Sequence, residues 1–158
     1  MNWGSWLVWG FAGTVVLTTL MAASQGLGLT RMNLPYMLGT MVTSDRDRAK
    51  PIGVLIHVLN GWLFSLVYVA AFLVWGGATW WKGVAIGLVH ALFVLVAGMP
   101  TMPGLHPRMA SETRGPTVVR QLEPPGFLGL NYGVRTPISI VIAHVVFGFI
   151  LGAFFTTR

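Results

Sequence analysis

Residues 51–76 read PIGVLIHVLNGWLFSLVYVAAFLVWG, a run with no acid, lysine or arginine. A bilayer hydrocarbon core of about 30 Å takes roughly 20 helical residues to cross, and this run supplies them. Three more stretches qualify, so the expected spans are approximately 5–25, 52–76, 82–100 and 137–156. The fold class that follows is all-α: a single integral-membrane domain over 1–158, a four-helix bundle with long loops over about 26–51 and 101–136. Composition agrees. Of 158 residues, 54% are hydrophobic and only 9% charged, where a soluble domain carries about a quarter charged; the mean hydropathy is +0.72. The first span has no basic region ahead of it, and TLMAAS (19–24) is a poor cleavage site, so it reads as a retained helix rather than a signal peptide.

Lysine and arginine placement sets the expected orientation. Arg31, Arg46, Arg48 and Lys50 lie between spans one and two; Arg108, Arg114, Arg120 and Arg135 lie between spans three and four. Only Lys82 and Arg158 fall on the other side. The positive-inside rule then makes both long loops cytoplasmic and both termini external. Tryptophan gives the same answer independently: Trp3, Trp6, Trp9, Trp75, Trp80 and Trp81 gather at the predicted outer interface, as an aromatic belt does. The net charge of +6 is therefore explained by topology, and it predicts no nucleic-acid partner. The chain has no cysteine, which excludes disulfides, thiolate metal sites, Fe–S clusters and cysteine nucleophiles.

The chain resembles itself. IHVLNGWLFSLVY (56–68) aligns with AHVVFGFILGAFF (143–155), placing His57 on His144 and Gly61 on Gly148. GLTRM (28–32) after the first span echoes GLHPRM (104–109) after the third; setting Arg31 on Arg108 puts Gly10 on Gly87 and Gly13 on His90. This predicts two parallel helix-hairpin repeats about an axis along the membrane normal. Each long loop also holds a shorter apolar patch, MNLPYMLGTMV (32–42) and PPGFLGLNYG (124–133). These are too short to span and are expected as interfacial helices or re-entrant segments.

Ionisable residues within apolar spans are costly and point to function. His57, Asn60 and Gly61 share one helix face, since residues three and four apart are neighbours. His144 and Gly148 repeat the arrangement, with Gly152 a turn further, and His90 sits among Gly87, Ala91 and Gly98. At about 1.5 Å per residue, His57, His144 and His90 lie roughly 9, 10 and 15 Å from the inner ends of their spans, so one shared site is allowed. Imidazole suits haem iron, copper, zinc or magnesium. Helix gluing through a backbone carbonyl, and a proton or ion path, are the competing readings. Gly10, Gly13, Thr14 and Thr18 form a polar edge on the first span, read as packing or as a permeation path.

GMPTMPGLHPRM (98–109) offers a second candidate: Met99, Met102, His106 and Met109 supply soft donors suited to Cu(I). Pro100, Pro103 and Pro107 are expected to force an extended, kinked exit from the third span. No enzyme signature emerges. The four acids, Asp45, Asp47, Glu112 and Glu123, all lie in loops, and TSDRDRAK (43–50) reads as a solvated helix start capped by Ser44 or Asp45.

The pattern from GFAGTVVLTTLM (10–21) through HVLNGWLFSLVY to HPRM and AHVVFGFILG resembles small bacterial four-helix inner-membrane proteins of unknown function. The resemblance covers most of the chain and implies the fold, the inner membrane and multi-pass insertion; it brings no activity and no site residues. The first expectation is a non-enzymatic membrane protein, a small subunit of a larger complex or a homo-oligomer, with lipid and other membrane subunits or itself as partners. The alternatives are a haem- or metal-binding redox protein using His57 and His144, with His90 in reserve, and a small transporter or channel.

Overall fold

Helix boundaries follow from local chemistry. The structure, a computed structural model, describes residues 1–111 and 113–157; Glu112 and Arg158 lie outside the described residues. α1 (Trp3–Gly26) is capped by the Asn2 side chain, which accepts from the Ser5 amide at 2.9 Å. α2 (Leu34–Gly39) is a six-residue helix capped by Asn33 in the same way. α3 (Arg46–Val74) starts at Asp45, whose carboxylate accepts from the amides of Asp47 and Arg48, satisfying two of the amides that every helix start leaves unpaired. Its first turns are charged and precede the apolar run. α4 (Trp80–Phe93) passes through a π-helical turn, Val94–Gly98, into α5 (Met99–Leu105). A 3₁₀ segment, Phe127–Tyr132, leads to α6 (Thr136–Phe154). Among the described residues there is no strand, only an isolated bridge between Met109 and Leu122. Four helices, Trp3–Gly26, Arg46–Val74, Trp80–Leu105 and Thr136–Phe154, are long and apolar enough to cross a membrane.

The third long helix differs from the sequence reading. It runs to Leu105, and Pro100 and Pro103 sit inside it instead of unwinding it. Proline removes one amide and clashes with the carbonyl four residues back. Here the π turn widens the helix just upstream, with the Met99 amide bonding the Val94 carbonyl five residues back. Pro100 then falls in the first turn of α5, where a missing amide costs little. The Thr101 hydroxyl donates back to the Ala97 and Gly98 carbonyls at 2.8 and 3.1 Å.

α6 packs most extensively on α4 and next on α1; α1 packs on α3, and α2 lies along the start of α3. The two α3 neighbours in sequence behave differently: α2 is tightly joined to it, whereas the α4 backbone stands off and meets α3 through side chains, His90 against Phe64 and Tyr68. Close contacts are made by missing side chains. A methyl group on Gly83 would sit 2.0 Å from the Gly148 carbonyl oxygen, so the α4 and α6 backbones are in direct contact. Gly61 receives the Thr14 side chain, and Gly53 lies against the Pro35 carbonyl of α2. The core between these contacts is filled by Leu17, Tyr68, Phe72, Phe147 and Leu151.

Both ends are tied. At one end Asn2 Nδ2 donates to Thr156 Oγ1 at 3.1 Å, Trp6 Nε1 donates to Ser65 Oγ at 2.8 Å, and Lys82 Nζ donates to the Trp75 and Gly77 carbonyls at the end of α3, as cations near helix C-termini do. At the other end the two long loops join: the Arg31 amide donates to the Tyr132 carbonyl, the Arg31 guanidinium pairs with Glu123 at 3.4 Å, and the Thr30 and Thr136 hydroxyls lie 2.7 Å apart.

Candidate functional site

α3 supplies His57, Asn60 and Gly61, α4 supplies His90, and α6 supplies His144. All five line one cavity of about 290 Å³ between the helices. Met21, Met32, Met37, Met99 and Met102 line it too. Drug-sized ligands occupy about 300–1,000 Å³, so this is space for an ion or a small molecule. His90 and His144 stand edge to face with ring centroids 4.6 Å apart; a macrocycle has no room between them.

A helix carbonyl fixes the protonation of His144, and a helix hydroxyl orients that of His57. His144 Nδ1 lies 2.8 Å from the Ile140 carbonyl oxygen. A carbonyl only accepts, so Nδ1 carries the proton and Nε2 of the neutral ring is a bare lone pair. For His57 the argument takes one more step. Thr18 Oγ1 lies 2.8 Å from the Thr14 carbonyl and 2.9 Å from His57 Nδ1. The Thr14 carbonyl already takes the Thr18 amide within α1, and the hydroxyl makes both of its contacts when its one proton goes to that carbonyl. In that arrangement the hydroxyl oxygen accepts from His57, Nδ1 donates, and Nε2 is an acceptor. Among the described residues no donor reaches either Nε2. These are the two histidines aligned in the sequence, and Nδ1 bonding that leaves Nε2 bare is the arrangement of metal-ligating histidines.

His90 is held differently. Its Nδ1 lies 3.0 Å from the Tyr68 hydroxyl, which can donate or accept. Its ring stacks on Phe64 at 4.8 Å and meets Tyr68 edge on. Phe64, His90 and Phe93 also line a second groove of about 300 Å³, with Val67 and Val89 on the outer side of the α3–α4 seam. The three rings form the partition between the inner cavity and the outside of the bundle.

The remaining sequence candidates divide. Gly10 faces Ser65 and Trp62, Gly13 faces Phe147, Thr14 fills the notch of Gly61, and Gly148 meets Gly83. Thr14 and Thr18 donate to carbonyls one turn back. The cluster Met99, Met102, His106 and Met109 is split: Met99 and Met102 face the histidine cavity, whereas His106 and Met109 are buried away from it. His106 Nδ1 accepts from the Arg108 amide at 3.0 Å, so its Nε2 carries the proton and donates to the Met37 carbonyl at 2.8 Å. Arg108 Nη1 adds a bond to the Thr40 carbonyl. His106 thus fastens the long loop to α2. Burial pushes its pKa below the ordinary imidazole value, the Met37 carbonyl pulls the other way, and the Arg108 charge adds to the fall.

Sequence reasoning missed Met21, Met32 and Met37 as cavity residues, and Tyr68 and Phe64 as partners of His90. Tyr68 carried a signal, being a polar residue in an apolar run three turns beyond His57. The methionines carried none, because methionine is also ordinary core filler. Among the described residues no three His, Cys, Asp or Glu side chains converge as a metal-binding group. No protein-family model, curated protein or solved structure matches the chain.

Proposed function

We propose that the chain is a non-enzymatic, multi-pass protein of the inner (plasma) membrane that holds a small ligand in the cavity between its helices. Membrane insertion is supported by the outward faces: only 28 to 44% of the most apolar window of each long helix is buried inside the chain, and Leu63, Val67, Val89 and Phe93 point outward. Apolar surface on that scale calls for lipid or a partner. The eight basic loop residues support an orientation with the long-loop end in the cytoplasm and both termini outside, in line with the resemblance to small bacterial four-helix inner-membrane proteins.

The observation that carries the ligand reading is that His57 and His144, each with Nδ1 already bonded, line one cavity in which no described residue donates to either Nε2. A polar atom left unpaired in an apolar setting costs about 1–3 kcal/mol, and a ligand relieves that cost. Native mass spectrometry of protein extracted from its own membrane tests this. The expected result is a bound mass on the wild type and its loss in Val94→Trp, which fills the cavity. A bare wild-type chain refutes the reading.

The packing also favours descent from one hairpin used twice. Gly10 against Ser65 and Thr14 against Gly61 correspond to Gly83 against Gly152 and Gly87 against Gly148. This equivalence pairs Gly10 with Gly83, one turn from the Gly87 that the loop landmarks select. The reason is length: 21 residues separate Gly10 from Arg31, but 25 separate Gly83 from Arg108.

A second reading, a subunit of a membrane complex or a homo-oligomer, is favoured by the loosely closed α3–α4 seam with its outward Phe64, Val67, Val89 and Phe93. It predicts an assembly larger than one chain in mild detergent; a monomer there counts against it.

A further inference from the structure

We infer that the ligand of this cavity is a soft monovalent metal cation of the Cu(I) type, bound by Nε2 of His57 and of His144 and by the thioethers of Met99 and Met102. The inference rests on the cavity reading above and adds the chemistry of what enters.

Four observations select it. The first is the donor set. Five of the chain's eight methionines line a single cavity that also receives three imidazoles, and thioether with imidazole is a soft set that prefers Cu(I). The second is the protonation argued above: with the Thr18 and Ile140 contacts made, both nitrogens offer lone pairs, so no proton must leave before a cation binds. The third is charge. The cavity lining has no Asp, Glu, Lys or Arg, so nothing offsets the charge of an ion held there. The cost of burying an ion rises with the square of its charge, which places a divalent ion such as Zn²⁺ at a severe disadvantage against a monovalent one. Hard cations are excluded as well, because no carboxylate is at hand. The fourth is access. The ring partition of Phe64, His90 and Phe93 lies between the cavity and the α3–α4 seam, giving an entry path that does not disturb the α4–α6 contact.

The donors come from helices held by separate means, which keeps the site from depending on a loop. His57 is fastened to α1 through Thr18. His144 is fastened to its own helix through Ile140, and Gly87 lies against the His144 carbonyl. Met99 and Met102 are turned by the π segment and the prolines that follow it. His106 and Met109, the remaining members of the sequence's methionine–histidine cluster, are outside the site.

The test is anaerobic titration of the full-length protein in detergent with Cu(I), in competition with a chromogenic Cu(I) chelator. The expected result is about one ion withheld per chain, with Zn²⁺ not retained after desalting. Met99→Leu with Met102→Leu removes two sulfurs at nearly constant volume, a swap that cores tolerate; it should weaken binding at least about tenfold, the scale on which ligand-sphere changes act. His57→Asn with His144→Asn should abolish binding, and Met109→Leu should leave it unchanged. The inference is overturned if folded wild type withholds no Cu(I), or if the methionine double variant binds as the wild type does. A wild type that carries a non-metal mass by native mass spectrometry yet withholds no Cu(I) overturns the metal inference and leaves the cavity reading standing; a bare chain that withholds none removes both.

Discussion

Replacing Gly83 with alanine probes the closest approach of α4 and α6. A Cβ there would lie 2.0 Å from the Gly148 carbonyl oxygen and 2.9 Å from the Gly152 α-carbon. Neither neighbour is a flexible side chain, so relief requires α4 and α6 to move apart by about an ångström, with loss of the dispersion contacts along the seam. Overpacking of this kind costs about 1–3 kcal/mol. For a chain of this length that is a fall in Tm of roughly 2–12 °C. Two other glycines calibrate the result. At Gly13 the new methyl group would meet the Phe147 ring at 3.1 Å, and a ring shift of a few tenths of an ångström accommodates it. At Gly26 nothing lies within 4 Å, and alanine should be neutral or stabilising by up to about 1 kcal/mol. The assay is thermal unfolding in one detergent by near-ultraviolet circular dichroism. The expected order of stability is Gly26→Ala, then Gly13→Ala, then Gly83→Ala. If Gly83→Ala melts with Gly26→Ala, the two backbones are not in contact and the reasoning fails.

Three further outcomes are expected. His106 is held neutral in the folded chain, whereas the unfolded chain takes up its proton near pH 6.5; its contribution is therefore complete above that pH and is lost as pH falls below it. The stability gap between wild type and His106→Gln should shrink from pH 8 to pH 5, and a constant gap would count against this. Trp62 Nε1 is buried without a partner while Trp6 Nε1 donates to Ser65, so Trp6→Phe should cost about 0.5–1.5 kcal/mol more than Trp62→Phe; denaturation midpoints showing the reverse order would contradict the assignment. With no native cysteine, single-cysteine labelling reads topology cleanly. In intact cells an impermeant maleimide should modify Val74→Cys and spare Ser44→Cys; the opposite pattern overturns the proposed orientation.

Much of the architecture was legible because it rests on length and on polarity. Four uninterrupted apolar runs gave four long helices, and Asp45, flanked by alternating charges, gave the start of α3. The face shared by His57 and Gly61 was legible from helical spacing, and its contact with Thr14 was foreshadowed by the small and polar edge of α1. What the sequence withheld has a physical cause. Proline signals a break when read locally, but whether the helix breaks depends on an upstream carbonyl being turned away. Val94–Gly98 does this with one π turn, and nothing in VLVAG announces it. The same turn hid that Met99 and Met102 join the histidines: an extra residue rotates everything downstream by about 100°, so a face read from uniform α periodicity is the wrong face beyond residue 98. The α2–α3 contact was hidden for another reason, since Gly39 and Gly53 lie in segments that sequence treats as unrelated.

The histidines show how an apolar interior can hold polar groups without ions. Thr14 and Thr18 give their hydroxyl protons to their own helix, which is usually a neutral or mildly unfavourable habit. Here it has a directional result. A hydroxyl that has already given its proton to a carbonyl can only accept from His57, and that choice passes across the ring to expose a lone pair on the far nitrogen. His144 reaches the same state with the Ile140 carbonyl alone. Two unlike devices thus end in one chemical outcome, a bare Nε2, at the two positions that the sequence aligns. Both histidines and five methionines line one small cavity, and the proposed binding site rests on that juxtaposition.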